Sequence, residues 1–206
     1  MKYFKIATIL LALIIADVGS SHAQKAGDIS ISANVVYTPN WTNYWSELPY
    51  YEYMYNSHSA NIGVSAKIQY NISTPIKVEG VFTFFPSFFN LGMWDLSLNA
   101  QYLFPVTRRL SVYPIAGLCL SKYKSDGGYT NHDDVYIIDK KVAGKHTIYG
   151  VNTGGGIDYK LSNIISLQGE LKYVIGFDNT IFSDYYKTKR FMISIGMTYK
   201  FHHKKN

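Results

Sequence analysis

The chain has 206 residues, which is enough for one domain of ordinary size. Its formal net charge of +6 is modest, and the basic residues are spread along the chain rather than gathered in a stripe, which argues against a nucleic-acid-binding protein. The single cysteine, Cys119, excludes an intramolecular disulfide. Charged residues make up only 17% of the chain but there are 19 tyrosines, a composition that favours an all-β protein with two kinds of surface.

The first 23 residues have the layout of a secretory signal peptide. Lys2 and Lys5 form a short basic region, an apolar run extends over residues 6–16, and Ser21-His22-Ala23 carries small residues where signal peptidase requires them. The apolar run is too short for a transmembrane helix, which needs about 20 residues. We therefore expect residues 1–23 to be cleaved, residues 24–201 to form one folded domain and residues 202–206 to be a short polar tail.

Apolar and polar residues alternate along eight segments of the expected mature chain. In the last segment every odd position is a large apolar residue, while the even positions are mostly small or polar. A period of two residues indicates a β-strand with one apolar and one polar face. The predicted strands are Ile29–Tyr37, Ile62–Tyr70, Ile76–Phe84, Asp95–Phe104, Leu110–Leu120, Tyr149–Leu161, Ile165–Ile175 and Phe191–Phe201.

The predicted connections between these strands alternate in length. Residues 71–75, 105–109 and 162–163 are short turns containing turn-forming residues such as Asn, Ser and Pro. The other connections are longer, and they are Thr38–Ser59, Phe85–Trp94, Lys122–Thr147 and Gly176–Lys189. Short turns at one end and long loops at the other are typical of outer-membrane β-barrels, whose short turns lie on the periplasmic side.

Alternation alone also fits a soluble secreted barrel such as a lipocalin, whose apolar face points inward. Such a barrel would carry many Lys and Glu residues on its polar outer face, but the polar positions here are mostly Ser, Asn, Gln, Thr and Gly. The charged residues among them are nearly balanced in sign, which suits pairing inside a narrow barrel. This predicted lumen charge network consists of Lys67, Lys77, Glu79, Asp95, Asp158, Lys160, Glu170, Lys172 and Lys200.

Aromatic residues are concentrated at the turn-side ends of the predicted strands. They are Tyr70, Tyr102, Phe104, Tyr159, Tyr199 and Phe201. Aromatic side chains favour the interface between lipid and water, so this band indicates an interfacial girdle. The sequence therefore predicts an all-β fold, an eight-stranded antiparallel up-and-down transmembrane β-barrel in the cell outer membrane of a Gram-negative bacterium.

The chain resembles the OmpA-type and opacity-type family of small outer-membrane β-barrels over residues 24–201. The resemblance rests on the signal peptide, the strand number, the segment Tyr113–Leu118 in the fifth strand and the closing strand Phe191–Phe201. Family members usually end in an aromatic residue that the barrel-assembly machinery recognises, which implies this role for Tyr199 and Phe201. The resemblance also implies contact with outer-membrane lipid and lipopolysaccharide. It does not identify an activity, because similar barrels serve different functions.

Two polar segments are candidates for chemistry, and neither matches a known site pattern. Ser57-His58-Ser59 has the residue types of a lipid A-modifying acyl hydrolase or transferase, but its spacing differs from the His-x-Ser-Asn pattern of the deacylases. Residues 132–134, His-Asp-Asp, lack the ligand spacing of a calcium loop. Cys119 lies on the inward side of its strand and is expected to be a packed side chain. We therefore predict no catalytic residue, no metal site and no cofactor.

The first long loop is rich in aromatic residues and carries little charge. Its aromatic side chains either continue the interfacial girdle or form a rigid surface for a host protein, a glycan or lipopolysaccharide. They are Trp41, Tyr44, Trp45, Tyr50, Tyr51, Tyr53 and Tyr55. We interpret the chain as a non-enzymatic outer-membrane protein whose outward loops serve binding, adhesion or envelope structure. The alternatives are a narrow diffusion channel and a lipid A-modifying enzyme.

Overall fold

The computed structural model describes residues 26–39, 62–88, 91–125, 128–132, 135–139, 144–177 and 188–201. In this part of the chain no helix is long and apolar enough to cross a membrane. The strands in chain order are β1 (Ile29–Tyr37), β2 (Ile62–Asn71), β3 (Ile76–Phe88), β4 (Leu91–Tyr102), β5 (Phe104–Pro105), β6 (Leu110–Ser125), β7 (Gly128–His132), β8 (Val135–Asp139), β9 (Gly144–Lys160), β10 (Ile165–Gly176) and β11 (Lys189–Phe201).

Within the described residues, eight of these strands close into one antiparallel barrel. The ring runs β1, β2, β3, β4, β6, β9, β10 and β11, and β11 pairs again with β1. Ile29 pairs with Phe201 at one end of the closing strand pair, and Tyr37 pairs with Ile193 at the other. The short strand β5 lies beside β6, and β7 and β8 form a separate hairpin. The predicted eight-stranded antiparallel barrel is confirmed.

The alternation of apolar and polar residues in the sequence corresponds to the outer and inner faces of the barrel wall. Along β1 and β2 every second side chain is buried in the lumen, and the side chains between them are exposed on the outside. The exposed positions are largely apolar, with Leu98 and Ile195 among the most open. A closed barrel satisfies its strand hydrogen bonds internally, so its apolar outer face is suited to contact lipid.

Three short turns lie at one end of the barrel, which we call the turn end; the opposite end is the loop end. Thr107 shapes one of these turns, because its Oγ1 accepts hydrogen bonds from the backbone N–H groups of Arg109 (3.2 Å) and Leu110 (3.0 Å). Ser162 does the same in the turn before β10, where its Oγ accepts from Ile165 N at 3.0 Å. The first and last described residues, Ala26 and Phe201, also lie at the turn end, since Gly27 N donates to the carbonyl of Asn71 and Ile29 pairs with Phe201.

Several strands extend further toward the loop end than the sequence pattern indicated. β3 continues to Phe88 and β4 begins at Leu91, so the predicted loop Phe85–Trp94 is wrong. β6 continues to Ser125, where it pairs with both Leu91 and Gly144. Backbone pairing therefore persists past the point where the outward side chains cease to be apolar. The side-chain period marks the part of a strand that contacts lipid, and the hydrogen-bonded strand is longer.

One contact in the lumen explains a glycine of β9. Tyr113 on β6 pairs directly with Gly156, and the tyrosine ring lies across this residue. A Cβ atom at position 156 would meet ring carbons of Tyr113 at 2.6 and 2.7 Å and its hydroxyl oxygen at 2.8 Å. Gly156 therefore allows a large aromatic ring to lie flat against the inner wall of a narrow barrel.

Candidate functional site

The lumen near the loop end is filled by a cluster of buried side chains, which we call the loop-end plug. It consists of Val36, Phe85, Met93, Cys119, Tyr123, Ile148, Val174 and Met192. These residues come from every barrel strand except β2, and β2 contributes Gly63, where a Cβ atom would meet the Phe85 ring at 2.7 Å. Because side chains from all around the wall meet here, the plug fills the cross-section of the lumen.

A buried ion pair lies next to the plug. Arg190 Nη2 contacts Asp95 Oδ2 at 2.9 Å, and both side chains are almost fully shielded from solvent. Arg190 also donates to Tyr123 Oη at 2.7 Å and to Ser121 Oγ at 2.8 Å. Asp95 accepts further hydrogen bonds from Ser121 (2.7 Å) and Ser97 (2.6 Å). Both Arg190 Nη atoms and both Asp95 carboxylate oxygens are thus hydrogen-bonded, whereas Arg190 Nε has no hydrogen-bond partner among the described residues.

A second polar group, the middle network, crosses the lumen between the plug and the turn end. Its centre is Glu170, which forms an ion pair with Lys67 and lies 3.7 Å from Lys172 Nζ. Tyr113 Oη donates to Glu170 Oε1 at 3.1 Å. Glu79 joins the network at 4.0 Å from Lys67 Nζ. Two lysines and two glutamates balance one another here.

The amide side chains around Glu79 complete the middle network. Asn99 Nδ2 donates to Glu79 Oε1 at 2.8 Å, and Gln69 Nε2 donates to Glu79 Oε2 at 3.1 Å. Gln69 and Gln168 face each other across the lumen, with amide contacts of 3.4–3.5 Å. Every charged group of the middle network therefore has at least one oppositely charged or hydrogen-bonding neighbour.

The third polar group, the turn-end cluster, differs from the other two. It contains Lys77, Gln101, Asp158, Ser166 and Lys200, all buried. Lys200 Nζ lies 3.9 Å from Asp158 Oδ1, and Lys77 Nζ lies 5.7 Å from the ring centroid of Tyr113. Among the described residues, the Lys77 ammonium, the Gln101 amide, the Asp158 carboxylate and the Ser166 hydroxyl have no hydrogen-bond partner. Buried polar groups of this kind normally bind water.

The residues of the predicted lumen charge network face the lumen, but they do not form a single network. Lys67, Glu79, Glu170 and Lys172 meet in the middle, whereas Asp95 is joined to Arg190 near the plug. The remaining members lie near the turn end, where Lys160 is only half-buried.

Arg190 was absent from the predicted lumen charge network, because it lies between the predicted loop Gly176–Lys189 and the predicted strand Phe191–Phe201. Its position carried a usable signal. Arg190 lies two residues before Met192 and four before Ser194, so it falls on the inward side of β11 if the predicted strand is extended by one residue. A strand boundary set by apolar residues alone therefore excluded a charged residue that the fold buries.

The aromatic residues at the turn end are exposed on the outer surface. They are Tyr70, Tyr102, Phe104, Tyr159, Tyr199 and Phe201. Neighbouring rings are close, with centroids 4.6 Å apart for Tyr102 and Phe104 and 5.0 Å apart for Tyr199 and Phe201. This ring of outward aromatic side chains has the position expected of an interfacial girdle.

Several candidates from the sequence lie outside the described residues. These are the expected signal peptide 1–23, the aromatic loop Trp41–Tyr55, Ser57-His58-Ser59 and the tail 202–206. Cys119 is described and is buried in the loop-end plug. Among the described side chains, no three or more His, Cys, Asp or Glu residues are grouped so that they could hold a metal ion.

Comparison with solved structures finds small outer-membrane barrels of the same fold. The N-terminal β-barrel domain of Pseudomonas aeruginosa OprF has a TM-score of 0.56 at 16% identity, covering 86% of this chain and 100% of that chain. Neisserial surface protein A (NspA) has a TM-score of 0.55 at 16% identity, covering 84% and 97%. Pseudomonas aeruginosa OprG has a TM-score of 0.55 at 14% identity, covering 89% and 100%. At these identities the likeness shows the fold alone.

A comparison with curated protein sequences returned no match. The family model described as "outer membrane protein beta-barrel domain" matches residues 8–201, which is nearly the whole chain. This match agrees with the closed barrel, its apolar outer wall and its aromatic girdle. The chain therefore belongs to the outer membrane protein β-barrel domain family and is a protein of the outer membrane.

Proposed function

We propose that this barrel is a closed, non-enzymatic scaffold that holds its outward segments at the cell surface for binding, adhesion or envelope structure. The observation that carries the proposal is the loop-end plug, in which side chains from around the wall fill the lumen. Because the wall is rigid and the interior is filled, the segments that connect the strands are the parts of the molecule that can vary without disturbing the barrel. Binding residues on β-scaffolds are concentrated in such segments.

The same observation weighs against the main alternative, a narrow diffusion channel. A solute crossing the lumen would have to displace the plug and then separate Arg190 from Asp95, which are 2.9 Å apart. Eight-stranded barrels have interiors just wide enough for side chains to fill them. Single-channel recording in planar bilayers tests this point. We expect no resolved conductance for the purified protein, and steady ion-selective openings would contradict a closed scaffold.

The second alternative is a lipid A-modifying acyl hydrolase or transferase. Its candidate residues, Ser57-His58-Ser59, lie outside the described part of the chain. No carboxylate in the sequence has the spacing that would identify it as their partner. Mass analysis of lipid A from cells with and without the protein tests the alternative. A change in acyl-chain number that disappears in the Ser59→Ala variant would replace the scaffold by an enzyme.

The positive test concerns the aromatic loop Trp41–Tyr55, which we propose as the main contact with a host protein, glycan or lipopolysaccharide. A dense run of Trp and Tyr residues in water is unfavourable unless it packs on a partner or on lipid. Replacing residues 41–55 by a Gly/Ser linker should preserve heat-modifiable migration, since strand pairing stabilises the barrel. It should abolish binding to those matrix proteins, glycans or lipopolysaccharides that the wild type retains in a binding panel.

The matched control replaces residues 178–187, in the last long connection, by a Gly/Ser linker. This variant should keep the binding that the first one loses. If both variants bind like the wild type, the aromatic loop is not the recognition surface. If only the control loses binding, the surface lies in the last connection instead.

A further inference from the structure

The turn-end cluster contains a lysine whose ammonium group is buried. The Lys77 side chain is fully shielded from solvent, and its Nζ has no hydrogen-bond partner among the described residues. The centroid of the Tyr113 ring lies 5.7 Å from this Nζ. A buried ammonium group loses the water that surrounds it in solution, and the face of an aromatic ring replaces only part of that interaction. Lys77 Nζ therefore needs an acceptor for its hydrogen bonds that the described side chains do not supply.

Two other buried groups of the cluster also have hydrogen-bond donors to offer. Gln101 lies directly opposite Lys77 in the pairing of β3 with β4, and neither polar atom of its amide has a hydrogen-bond partner among the described residues. Ser166 on β10 is fully buried, and its hydroxyl is also without a partner in the described part of the chain. Ammonium, amide and hydroxyl groups all donate hydrogen bonds. The cluster is thus rich in donors that point into the lumen.

The charges on the inward side of the described residues do not balance. The middle network is neutral, and so is the pair of Arg190 with Asp95. At the turn end of the lumen, three lysines stand against two aspartates, so the excess is one positive charge. These residues are Lys77, Lys160 and Lys200 on one side and Asp28 and Asp158 on the other.

The excess charge is least compensated at Lys77. Asp158 Oδ1 lies 3.9 Å from Lys200 Nζ, and Lys200 also interacts electrostatically with Asp28. Lys77 interacts with Asp158 as well, but it shares this carboxylate with Lys200. Lys200 keeps a small exposed surface and Lys160 is half-buried, whereas Lys77 has no contact with solvent. Because a charge without solvent is costly unless an opposite charge lies beside it, the missing acceptor is expected to be negatively charged.

We propose that the turn-end cluster binds one small monovalent anion of the halide type, with Lys77 Nζ and the Gln101 amide as its donors. One negative charge neutralises the excess, whereas a divalent anion such as sulfate would replace it by an excess of the opposite sign. Water satisfies the remaining groups, Asp158 and Ser166. The short turns lie on the periplasmic side, so the anion enters from the periplasm past the half-buried Lys160. The loop-end plug fills the lumen beyond it, so the site is a pocket and not a channel.

The inference is independent of what the outward loops bind, since it concerns the lumen alone. It is tested with the purified protein in phosphatidylcholine nanodiscs, with chloride binding measured from the line width of the chloride NMR signal. Gluconate keeps the ionic strength constant. The wild type should broaden the signal in a saturable way, and bromide should reverse the broadening. Lys77→Met should weaken chloride binding by at least about tenfold, because it removes the charged donor.

A second variant should change the affinity in the opposite direction. Asp158→Asn keeps the shape of the side chain and removes a negative charge that repels the anion, so it should tighten chloride binding by about threefold or more. The control is Lys189→Met, which removes an exposed lysine at the loop end and should leave binding within about twofold, because exposed charges are screened by salt. Sulfate should compete at least about tenfold less well than bromide, because its second charge is not compensated.

The proposal is overturned if the Lys77→Met variant, shown to be folded by heat-modifiable migration, broadens the chloride signal as the wild type does. Broadening by the wild type that does not saturate overturns it as well, since water alone would then complete the cluster. Equal competition by sulfate and bromide would show unspecific attraction of anions and has the same consequence. If Lys77→Met does not fold, Asp158→Asn decides the question: tighter binding supports the proposal, and unchanged or weaker binding overturns it.

Discussion

The two ends of the lumen are built from inward positions of the same strands, yet they differ in how their polar groups are satisfied. At the loop end the Arg190 Nη atoms and the Asp95 carboxylate are held by direct hydrogen bonds beside the apolar plug, and Arg190 Nε and the Asn152 amide are the groups there without a hydrogen-bond partner among the described residues. At the turn end Lys77 and Asp158 are equally buried but have no hydrogen-bond partner among the described residues. The buried ion pair at the loop end is thus neutralised by direct contacts between side chains. The turn end resembles a site that water completes.

The balance of positive and negative charge also differs between the two ends of the lumen. Arg190 and Asp95 neutralise each other near the plug, and the middle network is also balanced. The turn-end cluster holds Lys77 and Lys200 against Asp158, and Lys200 also interacts electrostatically with Lys160 and Asp28, so the cations remain in excess. An excess buried charge is tolerated only where solvent or a counter-ion reaches it. The comparison therefore indicates that the lumen is sealed toward the loop end and hydrated from the turn end.

The largest expected effect comes from breaking the pair at the sealed end. Asp95→Asn should lower the free energy of unfolding by about 3–5 kcal/mol, because it leaves the Arg190 guanidinium buried without its counter-charge. Urea titration of the protein refolded in lipid vesicles measures this loss. Asp158→Asn at the turn end is the matched control and should cost only about 0–1 kcal/mol, as for a solvated pair. Equal losses of unfolding free energy for the two variants would contradict the proposed difference between the loop end and the turn end.

The next effect concerns the packing of the plug. Phe85→Ala should cost about 3 kcal/mol, because the ring is fully buried and packs against Gly63, so its removal leaves a cavity. The neighbouring Phe84→Ala, on the exposed outer wall, should cost clearly less in the same urea titration. A larger loss for the Phe84 variant would mean that the lipid-facing wall, and not the plug, dominates stability at the loop end.

A smaller effect is expected at the hydrated end. Lys77→Met should change the free energy of unfolding by no more than about 1 kcal/mol, because an apolar side chain replaces a buried ammonium that has no hydrogen-bond partner among the described residues. Lys67→Met is the control, since Lys67 forms an ion pair with Glu170 in the middle network, and should cost about 3 kcal/mol or more. A loss above about 2 kcal/mol for Lys77→Met would show that its ammonium is held as firmly as that of Lys67.

The last prediction concerns the Cys119 thiol, which should not react with a labelling reagent in the folded barrel. Cys119 lies in the plug and is 6% exposed, so a bulky maleimide should not label it in the folded barrel but should do so after denaturation. The control is Thr74→Cys in a Cys119→Ser background, which places a thiol in an exposed turn and should be labelled in both states. Rapid labelling of Cys119 in the folded protein would show that the loop end is open, contrary to the comparison.

Much of the fold follows from the sequence by itself. A period of two residues is a local property, and it identified the eight barrel strands and the side of each residue, so that Lys67 and Glu170 were assigned to the lumen before any contact was known. The strand ends were less accurate. β6 and β9 extend past Leu120 and Tyr149 because backbone pairing does not require apolar side chains.

Only the tertiary structure decided which of these inward side chains meet. Arg190 and Asp95 lie on β11 and β4, 95 residues apart in the chain, and barrel closure and strand stagger bring them together near the plug. The same closure places Trp94 beside Lys122 and sets Lys124 against Lys145 on the outer wall. Alternation assigns a face, but it carries no information on register between strands distant in sequence. Register is fixed by packing in the lumen and by the pairing of every strand with two neighbours.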